Sequence, residues 1–394
     1  MLLSRTAGAV LIAVAIDAAP QQTGGELFDD TVLHDVQLSI NSRDLSILRQ
    51  RFGENIYLPA DIVIDGTRMR NVAVRVRGTA SRNPTKLGLR VDFSFYTRGQ
   101  RFRGLESIVL DNLYQDPSNI REMLAMNVFR RLGEPAPREA FCRMFINNQY
   151  QGLYGLVEEI VPDFATRVTG EDDGYLFEYH NSFLYRGEDL GPGFDLYKML
   201  FEPRSHELDT DDQLYGPIRD LFHDMNDPDD AVWLERVAPR LDLPQFMRSV
   251  GIEAALAEKD GVLGFFGMNN FYLYRPAVTG QQRIFVWDRD FAMSFFDLSV
   301  VRGLDDYAFF RRAFANADLR TVYLDAAENV ARMIADNGWL EGEIDRLAAL
   351  IDTAVRDDTR KPFTNEFFDQ EIAFLREFAR FRPAFLVDEI ARVR

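Results

Sequence analysis

The sequence of 394 residues is poor in the side chains that form disulfides and soft metal cages. Its single cysteine, Cys142, has no partner for an internal disulfide, and four histidines leave few routes to a zinc cage or a histidine-based triad. Lysine is also scarce in a chain rich in arginine. If this protein does chemistry, we expect carboxylates to carry it.

The balance of charge excludes a further class of partner. The chain has 45 Lys plus Arg against 62 Asp plus Glu, a net charge of −17, so its surface repels phosphate backbones. A nucleic acid polymer is therefore not an expected partner. Because 46% of the residues are hydrophobic, the chain can bury a large core, which excludes disorder as its main state.

One apolar run lies near the N-terminus. Residues 7–16 follow Arg5 and are fewer than the roughly 20 residues that span a bilayer. We predict a signal peptide or N-terminal membrane segment over residues 1–20 and a polar, Gly-rich linker over residues 21–30. The alternative is a cytoplasmic protein with a frayed N-terminus. The prediction places the folded part in the periplasm, at the cell surface or in the medium, and a membrane is touched only through an uncleaved segment.

Residues 31–160 show mostly the alternation of half-buried strands. Asp65-Gly66 signals a hairpin, and in residues 72–77 valines alternate with smaller or basic side chains. Ser118 can cap an amphipathic helical pattern that ends at Gly133. This part is therefore expected to be a curled antiparallel sheet with one packed helix.

Residues 161–394 have mainly helical periodicity. The pattern predicts four long helices, over residues 243–256, 313–334, 339–355 and 363–393. Inside this helical part, residues 271–274 and 284–287 form the pattern of a short hairpin. The predicted fold class is α+β, with a β-rich part over residues 31–160 and a helical part over residues 161–394.

The densest polar cluster lies between Asp260 and Asp290. Asp260 follows an apolar helix, Asn270 begins the first strand of the hairpin, and Asp288 follows the second, so the hairpin brings Asn270 and Asp288 to one end. Such oxygen ligands suit Mg²⁺, which takes one or two carboxylates together with phosphate oxygens. The alternative is that these residues cap a turn and fill a tight bend.

Phosphoryl transfer needs metal ligands, an aspartate that orients the acceptor hydroxyl, and a lysine on the nucleotide phosphates. Lys86 precedes the third predicted strand and follows a loop that begins with Arg77-Gly78, whose glycine lets the backbone approach a ligand. Glu122 opens the helix and either pairs with Lys86 or complements the helix dipole. A solvated edge residue is the alternative for Lys86.

Several short strings, in this order, resemble the CotH family of spore-coat proteins with a kinase domain. The strings are Ile64-Asp65-Gly66, residues 74–78, residues 86–93, residues 102–105, Asp116-Pro117-Ser118 with Arg121-Glu122, residues 133–138, Ile146-Asn147 leading to residues 152–154 and Glu158, residues 269–274, and residues 287–290. The resemblance covers roughly residues 38–383. It implies an atypical protein-kinase-like, two-lobed fold that moves the γ-phosphate of ATP to Ser or Thr hydroxyls of an exported or surface protein.

The resemblance also implies roles for individual residues. They are Asp260 as the catalytic base, Lys86 on the nucleotide phosphates with Glu122 as its partner, Arg77 and Glu158 on the nucleotide side of the site, and Asn270 with Asp288 or Asp290 as ligands of Mg²⁺ or Mn²⁺. The acidic net charge favours a basic acceptor protein.

Departures from the family pattern keep two other functions open. Thr79-Ala80 replaces an Asn-containing string after the glycine, Leu87-Gly88 follows the lysine, and Glu178 stands where the family has a basic residue. One alternative is a non-catalytic envelope or adhesion module that binds protein or polysaccharide. The other is transfer of AMP by the same fold.

Overall fold

The computed structural model describes residues 24–394, and the predicted signal segment lies outside them. The first part of the chain forms a closed barrel of seven strands. These are β1 (Leu33–Ile40), β2 (Leu58–Ile64), β3 (Thr67–Val76), β4 (Leu89–Asp92), β5 (Ser107–Asp111), β6 (Glu139–Ile146) and β7 (Gln149–Val157). Side chains alternate between the two faces of a strand, which explains why Val72, Val74 and Val76 of β3 are fully buried in the barrel interior.

Closure of the barrel was not predicted. The strand order is β1-β2-β3-β4-β5-β7-β6, and β1 pairs with β6 in parallel, from Leu33 opposite Phe141 to Leu38 opposite Ile146. The predicted sheet was antiparallel throughout. The parallel pair joins segments about a hundred residues apart, which local alternation cannot reveal, and it removes both sheet edges.

Two helices belong to the barrel part, α1 (Ser42–Gln50) and α2 (Arg121–Arg131). Helix α2 was predicted, and its buried side chains extend around most of its circumference. Helix α1 was missed because it is short and has Leu48 as its buried residue, so its apolar stripe is weak. Its start is fixed by Asn41, whose side chain accepts a hydrogen bond from the Arg43 amide.

The predicted linker over residues 21–30 is wrong in its described portion. A short 3₁₀ helix, Gly25–Phe28, packs on the barrel, and Leu27 is fully buried in the barrel core. The Gly24 amide donates to the Arg103 carbonyl at 3.1 Å. The folded body therefore begins before Thr31.

A second sheet lies in the helical part. Its strands are β8 (Tyr175–Tyr179), β9 (Phe201–Pro203), β10 (Phe271–Arg275) and β11 (Arg283–Val286), in the antiparallel order β11-β10-β8-β9. The predicted hairpin is confirmed as β10 and β11, with Phe271 opposite Val286. Strands β8 and β9 were missed because acidic loops and short helices separate them.

The remaining helices form the larger core. They are α3 (Pro162–Thr169), α4 (Asp195–Leu200), α5 (Asp211–Met225), α6 (Asp230–Val237), α7 (Leu243–Ala255), α8 (Ala308–Ala315), α9 (Ala317–Ala335), α10 (Trp339–Arg356) and α11 (Asn365–Val393). The single helix predicted over residues 313–334 is divided at Asn316, whose side chain caps α9 through the amides of Asp318 and Leu319. Across residues 24–394, no helix combines the length and apolarity needed to cross a membrane.

The α+β class is confirmed, and the barrel and the helical part share buried contacts. One hydrophobic cluster fills the barrel, while the largest one joins α2 to the second sheet and to the helices. The Tyr150 hydroxyl on β7 donates to the Ala354 carbonyl on α10 at 2.9 Å. The loop after β3 and the second sheet then leave a cleft between them.

Candidate functional site

The cleft is a cavity of about 890 Å³. The barrel contributes Arg75, Arg77 and the loop of residues 78–82, and the second sheet contributes Glu178 and Tyr272 among others. The inner end is polar and is formed by Asp260, Asn269, Asn270, Asp288 and Asp290. A cleft of this size, with both polar and aromatic walls, is typical of a small-molecule site.

The hairpin β10–β11 assembles the inner end as the sequence predicted. The Trp287 amide donates to the Asn270 carbonyl at 3.1 Å, which closes the hairpin end and sets Asn270 beside Asp288. Both Asn270 (φ 57°) and Asp288 (φ 51°) have left-handed backbone conformations. Asn and Asp adopt this conformation more readily than other non-glycine residues, so both suit the tight bends at this end of the hairpin.

Asp260 lies in the loop after α7 and is held by two amides. The side-chain nitrogens of Asn269 and Asn270 donate to its carboxylate at 3.1 and 3.2 Å. The Asn270 nitrogen also donates to the Asp260 carbonyl at 3.0 Å, which leaves the Asn270 side-chain oxygen for another donor or a cation. Burial raises the pKa of Asp260, and these amides oppose the shift.

A second, smaller cavity of about 20 Å³ lies on the barrel side of Asp288 and Asp290. We call it the inner chamber, and its carboxylates are those of Asp111, Asp116, Glu122, Glu139, Asp288 and Asp290. Asp111 ends β5, Glu122 is in the first turn of α2, and Glu139 begins β6. Asp288 and Asp290 line both the cleft and the inner chamber.

Burial and like charge raise the pKa values of the chamber carboxyls. Burial, with the Asp111 charge, raises the pKa of Asp288 to about 6, and burial raises the pKa of Glu139 to about 8. Burial and the charge of Glu139 raise the pKa of Glu122 well above its usual value, and burial and Asp288 do the same for Asp290. The negative charge of the inner chamber is therefore relieved either by protonation of these carboxyls or by a bound cation.

Arg289 fixes the segment that carries both aspartates. It has no exposed surface, and its guanidinium forms an ion pair with the buried Glu253 on α7. The other oxygen of Glu253 accepts the Val262 amide at 2.9 Å. Since Arg289 lies between Asp288 and Asp290 in the chain, this buried pair anchors the backbone that carries both aspartates.

Arg77, which the sequence placed on the nucleotide side of the site, lies in the cleft wall. Its guanidinium is 3.6 Å from Asp111 and lies over the Trp287 ring at 5.0 Å. Burial lowers the pKa of Arg77, but the charges of Asp111 and other neighbours outweigh it and keep the pKa raised. Arg77 is therefore a permanent cation at the inner end of the cleft.

Lys86 is not placed where the sequence suggested. Its ammonium donates to Asp358 at 2.6 Å, and both side chains are essentially unexposed. Among the described residues, Lys86 is not one of those that line the cleft or the inner chamber. Burial lowers the pKa of Lys86 despite Asp358. The predicted Lys86–Glu122 pair is wrong, because Glu122 faces carboxylates and Asp358, in the turn after α10, takes the lysine.

Glu158 also lies away from the cleft lining. It follows β7 and is buried between Arg138 and Arg167, at 2.7 and 2.6 Å. It stands at the connection between the barrel and α3, and not on the nucleotide side of the site, where the sequence had placed it. Its ion pairs join the barrel to α3.

Sequence reasoning missed three residues of this region: Asp111, Glu139 and Trp287. Asp111 and Glu139 are carboxylates at the ends of largely apolar strands, and that signal could have identified them. Trp287 was recognised as a strand residue, although its ring lines the cleft.

The residues of the inner end fit a hard divalent cation. Carboxylate and amide oxygens are the ligands that Mg²⁺ and Mn²⁺ accept, and Asn270, Asp288 and Asp290 supply them on one side of the cleft. Elsewhere in the cleft, Glu178, His180 and Glu202 bring three ligand atoms within 4.8 Å of one another, and the chamber carboxylates are spaced more widely. The wider spacing suits a cation that keeps some of its water.

Comparisons with known proteins show the family to which the chain belongs. Residues 74–386 match the family model described as CotH kinase protein, so the chain belongs to that family. The chain is 24% identical over 371 residues to Inner spore coat protein H of Bacillus subtilis, which covers 90% of this chain and 97% of that protein. It is also 25% identical over 203 residues to Invasin CotH3 of Rhizopus delemar, which covers 47% of this chain and 31% of that protein.

Proposed function

We propose that this protein is an atypical, two-lobed protein kinase that transfers the γ-phosphate of ATP to Ser or Thr hydroxyls of another protein, with Mg²⁺ or Mn²⁺. The observation that supports the proposal is the inner end of the cleft, where Asp260, Asn270 and Asp288 converge from two loops joined by the hairpin. Phosphoryl transfer depends on positioning and electrostatics, and it requires such a set with little covalent chemistry from the protein. Family membership supports the same reaction class.

Asp260 is proposed as the catalytic base. The amides of Asn269 and Asn270 hold its carboxylate in one orientation, and burial raises its pKa toward the range in which a carboxylate accepts a proton at neutral pH. It would accept the proton of the acceptor hydroxyl as that oxygen attacks the γ-phosphorus, and ADP would leave as the bond between the γ-phosphorus and the β–γ bridging oxygen breaks. Asn270, Asp288 and Asp290 would hold the metal ion, which neutralises the phosphate charge when bound.

The nucleotide would occupy the large cleft. Arg77 supplies a half-buried cation beside Asp288, and the loop of residues 78–82 supplies backbone at the cleft wall. Tyr272 and Trp287 lie edge to face at 5.9 Å and give the cleft an aromatic wall for a base. Because Lys86 is engaged by Asp358, we assign the phosphate-binding role to Arg77 instead.

The acceptor is proposed to be a basic protein at the cell surface. The net charge of −17 favours a basic partner. The similar proteins are named as an inner spore coat protein and an invasin, which supports action outside the cytoplasm or on an outer layer. The apolar run over residues 7–16 supports export of this chain.

A non-catalytic binding module is the second candidate. The observation that favours it is the buried Lys86–Asp358 pair, because the lysine expected on the phosphates is held outside the cleft lining of the described chain. In that case the cleft would bind nucleotide or an acceptor segment without transfer. Transfer of AMP would use the same carboxylates with the nucleotide reversed.

The test uses purified protein, MgCl₂ and ATP labelled at either the γ- or the α-phosphate, with a basic and an acidic protein as acceptors. Label from γ-ATP on Ser or Thr supports the kinase, label from α-ATP supports AMP transfer, and bound nucleotide without label supports the binding module. Asp260→Asn is expected to lower γ-labelling by about 10²-fold or more. The matched control is Asp305→Asn, at an exposed carboxylate outside the cleft lining, and it should label like the wild type.

A further inference from the structure

A second opening meets the cleft at its inner end. It is a cavity of about 270 Å³, which we call the outer groove, and Phe374 of α11 lies in its wall. Four residues line both the outer groove and the cleft, and they are Gln115, Lys259, Asp290 and Phe291. A nucleotide that fills the cleft leaves the outer groove as the path for an acceptor hydroxyl. The terminal phosphate would therefore lie where the two cavities meet.

Lys259 stands at this meeting point with its donors free. Its side chain is partly exposed, and across residues 24–394 its ammonium has neither a hydrogen bond nor an ion pair. The ammonium lies over the Phe291 ring, 4.4 Å from the centroid. A cation–π contact at a partly exposed site is weak compared with a charge-assisted hydrogen bond to a phosphate oxygen. The three N–H donors of Lys259 are therefore available to an anion.

The other basic side chains of the cleft are already engaged. Arg204 forms ion pairs with the glutamates of β8 and β9, and Arg77 has a carboxylate at 3.6 Å. Arg75 and Arg82 donate to neutral oxygens, with a backbone carbonyl among them in each case. Of the lysines and arginines in the described part of the cleft lining, Lys259 is thus the one that keeps every donor for a ligand.

Lys259 also lies beside the proposed catalytic base. It directly precedes Asp260 in the loop after α7. Burial raises the pKa of Asp260, and the charge of Lys259 is among the influences that oppose this rise. Phe291 directly follows Asp290, so the contact between the ammonium and the ring joins the loop of the base to the segment of the proposed metal ligands. A phosphate held by Lys259 would therefore face both.

We infer that the Lys259 ammonium binds the terminal phosphate of the nucleotide, where the cleft meets the outer groove. The inference rests on the proposed function, because it requires ATP in the cleft. Arg77 then holds the phosphates from the barrel, and Lys259 holds the γ-phosphate from the loop after α7. This lysine supplies the charge that was expected from Lys86, which Asp358 engages.

The experiment compares nucleotides that differ in their terminal phosphates. Full-length protein with MgCl₂ is titrated by calorimetry with the β,γ-imido analogue of ATP, with ADP and with AMP. The wild type is expected to bind the ATP analogue most tightly. Lys259→Met should weaken binding of this analogue about tenfold or more and change the affinity for AMP by less than about twofold, because only the bond to the terminal phosphate is lost. Lys259→Arg keeps a cation and should retain most of the preference.

The matched control is Lys198→Met, which removes an exposed lysine that pairs with Asp211 outside the described lining of both cavities. It should bind all three nucleotides as the wild type does. The inference is overturned if Lys259→Met binds the ATP analogue as tightly as the wild type, if it loses affinity for this analogue and for AMP equally, or if its single change is a higher KM for the acceptor protein.

Labelling by γ-ATP judges the kinase separately. A wild type that prefers the ATP analogue through Lys259 but labels no acceptor supports the inference and rejects the kinase. A wild type that labels an acceptor, with unchanged nucleotide binding in Lys259→Met, supports the kinase and rejects the inference. A wild type that binds no nucleotide rejects both.

Discussion

The buried pair of Lys86 and Asp358 gives the sharpest test of how this barrel is held. The two charges are 2.6 Å apart, with side chains 0% and 1% exposed. Asp358→Asn leaves the lysine buried without a counter-charge, and we expect the free energy of unfolding to fall by about 3–5 kcal/mol. Removing one partner costs this much because the other charge is then desolvated without compensation.

Lys86→Met should cost less than Asp358→Asn. The carboxylate that remains still accepts the amides of Arg360 at 2.8 Å, Lys361 at 3.1 Å and Leu153 at 3.3 Å. We expect a loss of about 1–3 kcal/mol for this variant. The double variant should lose less than the sum of the two, with a coupling of about 2 kcal/mol.

The assay is urea unfolding followed by tryptophan fluorescence, since the chain has three tryptophans. If the two single variants add within about 0.5 kcal/mol, the pair does not exist as described. Labelling by γ-ATP is the second readout. If Lys86→Met stays folded yet lowers labelling about a hundredfold, the lysine reaches the phosphates during turnover and its assignment as a structural residue is refuted.

Three further predictions concern stability. Gly152→Ala should lower the free energy of unfolding by about 2 kcal/mol or more, because the φ of Gly152 is 119° and an added Cβ would lie 2.2 Å from the Asp358 carboxylate. The control in the same urea titration is Gly53→Ala, whose added Cβ would meet open space. Asn316→Ala should cost about 1 kcal/mol by removing the cap of α9, and Asn316→Asp should restore most of it. Burial raises the pKa of Glu139 to about 8, so the folded state keeps a proton that the unfolded chain releases near pH 4.5. The free energy of unfolding, measured in EDTA, should therefore fall as the pH rises from about 4.5 to about 8. Glu139→Gln should flatten that slope, and an unchanged slope would contradict the assignment.

The part of the site that could be predicted from sequence is the part formed by neighbours in the chain. Asn270 and Asp288 flank one hairpin, so turn and strand signals were enough to bring them together. Asp260 precedes that hairpin by a short loop, and its contacts with Asn269 and Asn270 are equally local. The strand-rich first part and the long helices follow from hydrophobic periodicity in the same way.

The contacts that were missed join distant segments. Asp358 is 272 residues from Lys86, and no pattern in either segment points to the other. Glu139 and Asp111 come into one chamber because β5 and β6 both pair with β7, and the pairing of β5 with β7 joins segments that α2 and β6 separate in the sequence. Strands β8 and β9 are short and lie among acidic loops, so propensity alone does not separate them from turns.

The position of Asp358 also bears on how the polypeptide matures during its synthesis. The barrel strands leave the ribosome first, but the counter-charge for Lys86 is made only after about nine-tenths of the chain has been translated. Until then the nascent barrel must either leave that lysine hydrated, with the surrounding strands unlocked, or bury it alone. Completion of the N-terminal half therefore waits for the C-terminal helices, and a prematurely terminated product should not accumulate as a stable barrel.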